Sequence, residues 1–98
     1  MKTFDEYQKM AQKYSKHYDV PTTFIHLMEE VGEMTKIYSK ALRRENDCFS
    51  LEEMQEMAYE LGDVLATLTL FATKFGWSLE GLARMNVKKL KFREGISE

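Results

Sequence analysis

The chain has one proline, one cysteine and five glycines in 98 residues. So few breakers leave little room for a turn-rich β protein and favour long helices. A single cysteine, Cys48, excludes an internal disulfide, and a reducing cytoplasm is the expected setting. The chain also lacks an excess of positive charge: the net charge is -2. That argues against generic nucleic-acid binding. The longest nearly uncharged run, Val64 to Thr73, is far too short to span a bilayer. The opening MKTFDEYQKM is charged and has no apolar h-region, so no secretory leader is expected. Nothing reads as low complexity or as a linker, and residues 1–98 are expected to form one domain. What is present is a 44% hydrophobic share. It is enough for a core, although a chain this small often completes its core by oligomerising.

The apolar residues recur at helical spacing. Thr3 with Glu6 has the form of a capping box, and Phe4, Tyr7, Met10, Ala11, Tyr14 and Tyr18 follow at three-four intervals. This predicts a first helix over residues 4–17, broken at Asp19-Val20-Pro21. Thr22 or Thr23 is the predicted cap of a second helix of about twenty residues. Its stripe is Phe24, Leu27, Met28, Val31, Met34, Tyr38, Ala41 and Leu42, and Asn46-Asp47 marks the turn after it. Ser50 with Glu53 is a second capping box, opening a helix from Leu51 that Gly76 ends. At about 1.5 Å per residue that helix is close to 40 Å long. Its second half, from Val64 to Phe71, is apolar or neutral all round, as in a helix buried on more than one side. Ser78 caps a fourth helix, predicted from Leu79 to about Lys91 with the tail leaving at Phe92. The expected architecture is all-α, four helices whose bundle is completed by a partner subunit. The methionines lie mostly on the stripes and read as core filling, and Trp77 is expected to bury itself beside the Gly76 turn.

One acidic pattern occurs twice. Glu29-Glu30-Val31-Gly32-Glu33 lies in the second helix and Glu60-Leu61-Gly62-Asp63 in the third. On a wheel centred on Val31, Glu30 lies about 100° to one side and Glu33 about 160° to the same side. Around Leu61, Glu60 and Asp63 take the same two positions. An antiparallel packing of the two helices can therefore bring the pairs face to face, and their short connection favours it. Glu29 falls on the far side with Lys36 and Lys40. Four converging carboxylates repel one another unless a cation sits between them, and carboxylate oxygens suit Mg²⁺ and Mn²⁺. Gly32 and Gly62 each cost about 1 kcal/mol in a helix interior. Close helix approach, or room beside a ligand, would account for that cost. The plainer alternative for an isolated acidic pair is a solvated face. For His26, one turn before Glu30, it is packing at the stripe edge.

These residues resemble the signature of the MazG family of all-α nucleoside triphosphate pyrophosphohydrolases: Glu-Glu-x-x-Glu, a spacer, then Glu-x-x-Asp. Phe4-Asp5-Glu6-Tyr7-Gln8 is similar to the family's opening helix, and Gly76-Trp77-Ser78-Leu79-Glu80 to the turn into its last. Asn86-Val87-Lys88-Lys89-Leu90, then Arg93, is similar to its Asn-x-x-Lys-Leu-x-x-Arg ending. The resemblance implies Mg²⁺-dependent hydrolysis of a nucleoside triphosphate to the monophosphate and pyrophosphate, with Mn²⁺ as the alternative cation. It implies that Glu30, Glu33, Glu60 and Asp63 are the metal ligands and catalytic acids. Asn86, Lys89 and Arg93 are then expected to meet the phosphates, their plainer role being a basic helix end. Tyr7, Tyr14, Phe24 and His26 are candidates for a base pocket, with core packing as the alternative. The implied assembly is a homodimer or a pair of dimers, acting on nucleotides in the cytoplasm without nucleic acid or membrane. Two rival readings stand beside this one. The first is a phosphoribosyl-ATP pyrophosphohydrolase of the same superfamily, and the second a non-catalytic helical interaction protein whose acids are only surface.

Overall fold

A computed structural model describes residues 3–14, 18–43 and 48–95. Four helices follow one another: α1 (Phe4–Tyr14), α2 (Val20–Leu42), α3 (Leu51–Lys74) and α4 (Leu79–Arg93). No strand occurs among the described residues. The predicted Asn46-Asp47 turn and the last predicted turn of α1 lie outside them.

The Ser50–Glu53 capping box forms in full, and at α1 the Thr3 side chain caps the helix. The Glu6 amide donates to Thr3 Oγ1 at 3.1 Å. At α3 the Glu53 amide donates to Ser50 Oγ and the Ser50 amide returns a bond to Glu53 Oε1. At its other end Gly76 takes φ +75°, where only glycine is unstrained. Gly76 N–H reaches Thr73 O and Trp77 N–H reaches Ala72 O, closing the helix as a Schellman motif.

Two helix boundaries differ from the expectation. α2 is capped by Asp19, not by Thr22 or Thr23, and Thr22 N–H donates to Asp19 Oδ1 at 2.8 Å. Bonds from Thr22 hold the Asp19 carboxyl below its ordinary pKa. Pro21 begins this helix where it was expected to precede it, because a first-turn N–H has no partner to lose. α4 continues through Phe92 to Arg93, and Gly95 at φ +78° follows its cap residue Glu94.

α2 and α3 make the main helix–helix contact, and paired side chains give its direction. Phe24 meets Phe71, Glu30 meets Glu60 and Asp63, and Tyr38 meets Phe49, so the two helices run antiparallel. α1 packs on α3 and on α4. Gln8 makes that junction. Its Nε2 donates to Thr73 Oγ1 and to Trp77 O, both at 2.9 Å, and its Oε1 accepts Leu79 N–H at 3.0 Å.

The interior is narrow. The buried apolar residues are Ala11, Leu27, Ala41, Ala72 and Leu79, joined by Thr23, Thr67 and Thr69. Much of each expected core stripe stands open: Phe24, Met28, Leu42, Met54, Leu61, Leu65, Leu68 and Phe75 are all exposed. Met10 and Met85 are exposed too, and Trp77 is half out in solvent, stacked on Phe75 at 4.7 Å. The radius of gyration is 16.4 Å, against about 13 Å for a compact domain of this size. No helix among the described residues is long and apolar enough to cross a membrane.

Candidate functional site

The antiparallel α2–α3 contact sets one turn of each helix face to face. Glu30 comes from α2, and Glu60 and Asp63 from α3. Each offers a carboxylate oxygen, and these oxygens lie within 4.8 Å of one another. Glu30 and Glu60 are half-buried, while Asp63 is exposed. Like charges this close disfavour ionisation. The Glu60 pKa is raised, first by burial, then by its contact with Glu30, then by the charges of Glu30, Asp63 and Glu33. Its Oε2 is hidden from solvent and has no hydrogen-bond partner among the described residues.

A buried acceptor without a donor needs a physical reason. Here the donor set supplies one. Three hard oxygen ligands converge, one with an unfilled lone pair, and this is the chemistry that Mg²⁺ and Mn²⁺ take. The residues fit a divalent cation.

The structure brings the other candidates in to different degrees. Glu33 stays outside the converging set, exposed, with Lys36 Nζ 3.4 Å from its Oε1, yet its charge still reaches Glu60. Glu29 is exposed, as its wheel position implied. His26 turns its Nε2 to Glu30 Oε1 at 3.5 Å, and its ring meets Tyr18 at 5.8 Å. Tyr7 is half-buried, and its pKa is raised by burial and by the charge of Asp63. Phe24 instead packs on Phe71, with ring centroids 5.6 Å apart. Asn86, Lys89 and Arg93 are exposed on α4, the helix that rests on α1. Among the described residues their side chains make no hydrogen bond to the acids. A Cβ on Gly32 or Gly62 would meet nothing within 4 Å, so neither glycine serves close helix approach within this chain.

A cleft of about 280 Å³ opens from the acids. Glu30 and Asp63 line one side of it, with Tyr18, His26, Thr67 and Leu70 around the rest. Thr67 and Leu70 follow Asp63 at one and two helical turns, so a wheel could have found them. Tyr18 lies outside the helices, and the periodicity that placed it on the first helix's stripe gave no sign that it lines this cleft.

The family profile of the MazG nucleotide pyrophosphohydrolase domain matches residues 19–95. Searches of curated proteins and of solved structures each found no match. The matched span runs from the cap of α2 through α3 to the end of α4 and contains every converging acid, and this chain belongs to the MazG nucleotide pyrophosphohydrolase domain family.

Proposed function

We propose that the chain hydrolyses nucleoside triphosphates to the monophosphate and pyrophosphate at the Glu30–Glu60–Asp63 cluster, with Glu33 as a fourth acid. The observation that carries this is the buried, partnerless Glu60 Oε2 among three convergent carboxylates. Glu30, Glu60 and Asp63 would hold a divalent cation, and Glu33, whose charge reaches Glu60, is the fourth acid beside them. A bound Mg²⁺ or Mn²⁺ neutralises phosphate oxygens and makes a water acidic. The acids themselves set the ligand charge, and one of them accepts the proton of the attacking water. The cleft beside Tyr18 and His26 receives the nucleoside end of the substrate. Asn86, Lys89 and Arg93 share one face of α4 and meet the phosphates, the arginine as a fork and the lysine as a point charge.

A second copy completes this arrangement. α4 packs on α1, and the α3 face carrying Leu61, Leu65 and Leu68 is open. An open apolar face on an extended chain is the feature that oligomerisation covers. Sedimentation at micromolar concentration is expected to give a species at least twice the 11.5 kDa chain mass. A clean monomer would remove the second copy from the site.

The test of function is pyrophosphate release with Mg²⁺ across the standard NTPs, dNTPs and phosphoribosyl-ATP. Wild type is expected to turn over at least one standard nucleotide. Glu60→Gln keeps the shape but removes the charge. It is expected to lose about 100-fold or more, the upper end of what losing even an outer-shell partner costs. Turnover of phosphoribosyl-ATP alone would move the chain to the rival enzyme. Release of pyrophosphate from none of them would end the reading.

A further inference from the structure

We propose that His26 is a positioning residue that holds Glu30 in its cation-binding orientation, and that Tyr18 in turn holds the imidazole. The inference rests on the metal-centre reading above and goes beyond it, because the acidic motif contains neither residue.

Glu30 is drawn and repelled at once. On one side its carboxylate touches that of Glu60, and the contact raises the Glu60 pKa. A glutamate side chain has several rotatable bonds, and repulsion of this kind turns it out toward solvent. On the other side His26 sits one helical turn earlier, its Nε2 3.5 Å from Glu30 Oε1. A neutral imidazole beside a carboxylate places its single N–H on the nitrogen that faces the oxygen. At 3.5 Å this is an attraction, longer than a tight hydrogen bond, but it opposes the outward swing. The Glu30 side chain is 19% exposed, against 41% for His26.

His26 is not itself a ligand. Among the described residues the converging metal-ligating set is Glu30, Glu60 and Asp63, and the imidazole stands outside it. Its own freedom is limited by Tyr18, whose ring meets it at 5.8 Å and 58°. The result is a three-member relay: an aromatic ring fixes an imidazole, and the imidazole fixes a carboxylate. Partners that orient a ligand in this way typically change metal affinity 10- to 100-fold.

The experiment is a Mn²⁺ titration of the whole chain without nucleotide, read by the electron paramagnetic resonance signal of free Mn²⁺ at fixed pH. The cleft's role toward substrate therefore does not enter. His26→Ala is expected to weaken Mn²⁺ binding about tenfold. His26→Gln, whose amide can donate from the same position to a residue four further on, is expected to return to within about threefold of wild type. Tyr18→Leu is expected to lie between wild type and His26→Ala. Helical circular dichroism checks each variant, and should His26→Ala unfold, the glutamine and leucine variants carry the comparison. Wild-type affinity in His26→Ala would overturn the proposal, as would a His26→Gln as weak as the alanine variant. Glu60→Gln separates the two levels. If it binds Mn²⁺ as wild type does, the metal-centre reading fails and takes this one with it. If it loses Mn²⁺ while His26→Ala does not, only the positioning role is overturned.

Discussion

Gln8 and Glu60 both carry polar atoms into a helix junction, and their surroundings treat them in opposite ways. Gln8 lies where α1 meets the end of α3 and the start of α4. Both its donor and its acceptor ends are matched, the amide nitrogen twice and the oxygen once. Glu60 lies where α2 meets α3, within reach of the charge of three other acids, and has an oxygen with no donor among the described residues. A fully matched polar group in a junction is scaffold: it specifies how the elements meet. A hidden group left unmatched has a cost that the fold alone does not repay, and such groups accumulate at sites that bind something. The difference separates a junction that holds position from one whose unmatched oxygen marks it as the proposed ligand site.

Breaking the matched junction should have the larger effect on stability. Gln8→Ala removes three hydrogen bonds at once and leaves the Leu79 N–H and Trp77 carbonyl without their partner. Each bond is worth about 1 kcal/mol net, and Gln8 is only half-buried, so about 1–2 kcal/mol is expected. For a domain of this size that is a fall of about 5–10 °C in Tm, compared at one protein concentration. Gln8→Glu should not rescue it, because it keeps an acceptor for Leu79 but sets a second oxygen against the Trp77 carbonyl. A loss of less than 1 °C in Gln8→Ala would show that the junction is held by apolar contact alone.

The two regions also differ in how far the sequence exposes them. The Thr3 cap, the Ser50–Glu53 capping box, the Gly76 stop and the Ser78 cap follow from local chemistry, and all of them form. The convergence of Glu30, Glu60 and Asp63 was legible because the acids are in phase with two apolar stripes, and in-phase residues on antiparallel helices can meet. Even so, the wheel gave Glu33 and Asp63 equivalent positions, and only Asp63 joins the converging set. Their neighbours differ: Glu33 has Lys36 one turn on, whereas Asp63 has Ala66 there. Gln8 was not legible. A glutamine on a polar helix face carries no sign that its partners lie 65 to 71 residues away. The Tyr18–His26 contact was hidden for a related reason, since it joins a residue outside the helices to one within α2. The stripes were read as core, yet much of them is open, because periodicity tells which residues share a face and not what covers that face.

The smaller effect should appear at Glu60, with the opposite sign. Its pKa is raised above the ordinary 4.5, so the folded chain without a cation binds its proton more tightly than the unfolded chain does. The stability this gives is fully present below pH 4.5 and is lost as pH rises through the raised value. Metal-free wild type should therefore lose Tm between pH 4.5 and neutrality, and Glu60→Gln, which has no charge to bury, should lose less. At neutral pH in a chelator the variant should melt above wild type, even though it is the variant expected to lose activity. Added Mg²⁺ or Mn²⁺ should reverse the order, raising wild type by mass action on its folded state and leaving the variant where it was. If Glu60→Gln melted below wild type in the chelator, the carboxylate would be contributing to the fold in its own right. Glu60 would then belong with Gln8 as scaffold, and the contrast between the two junctions would be lost.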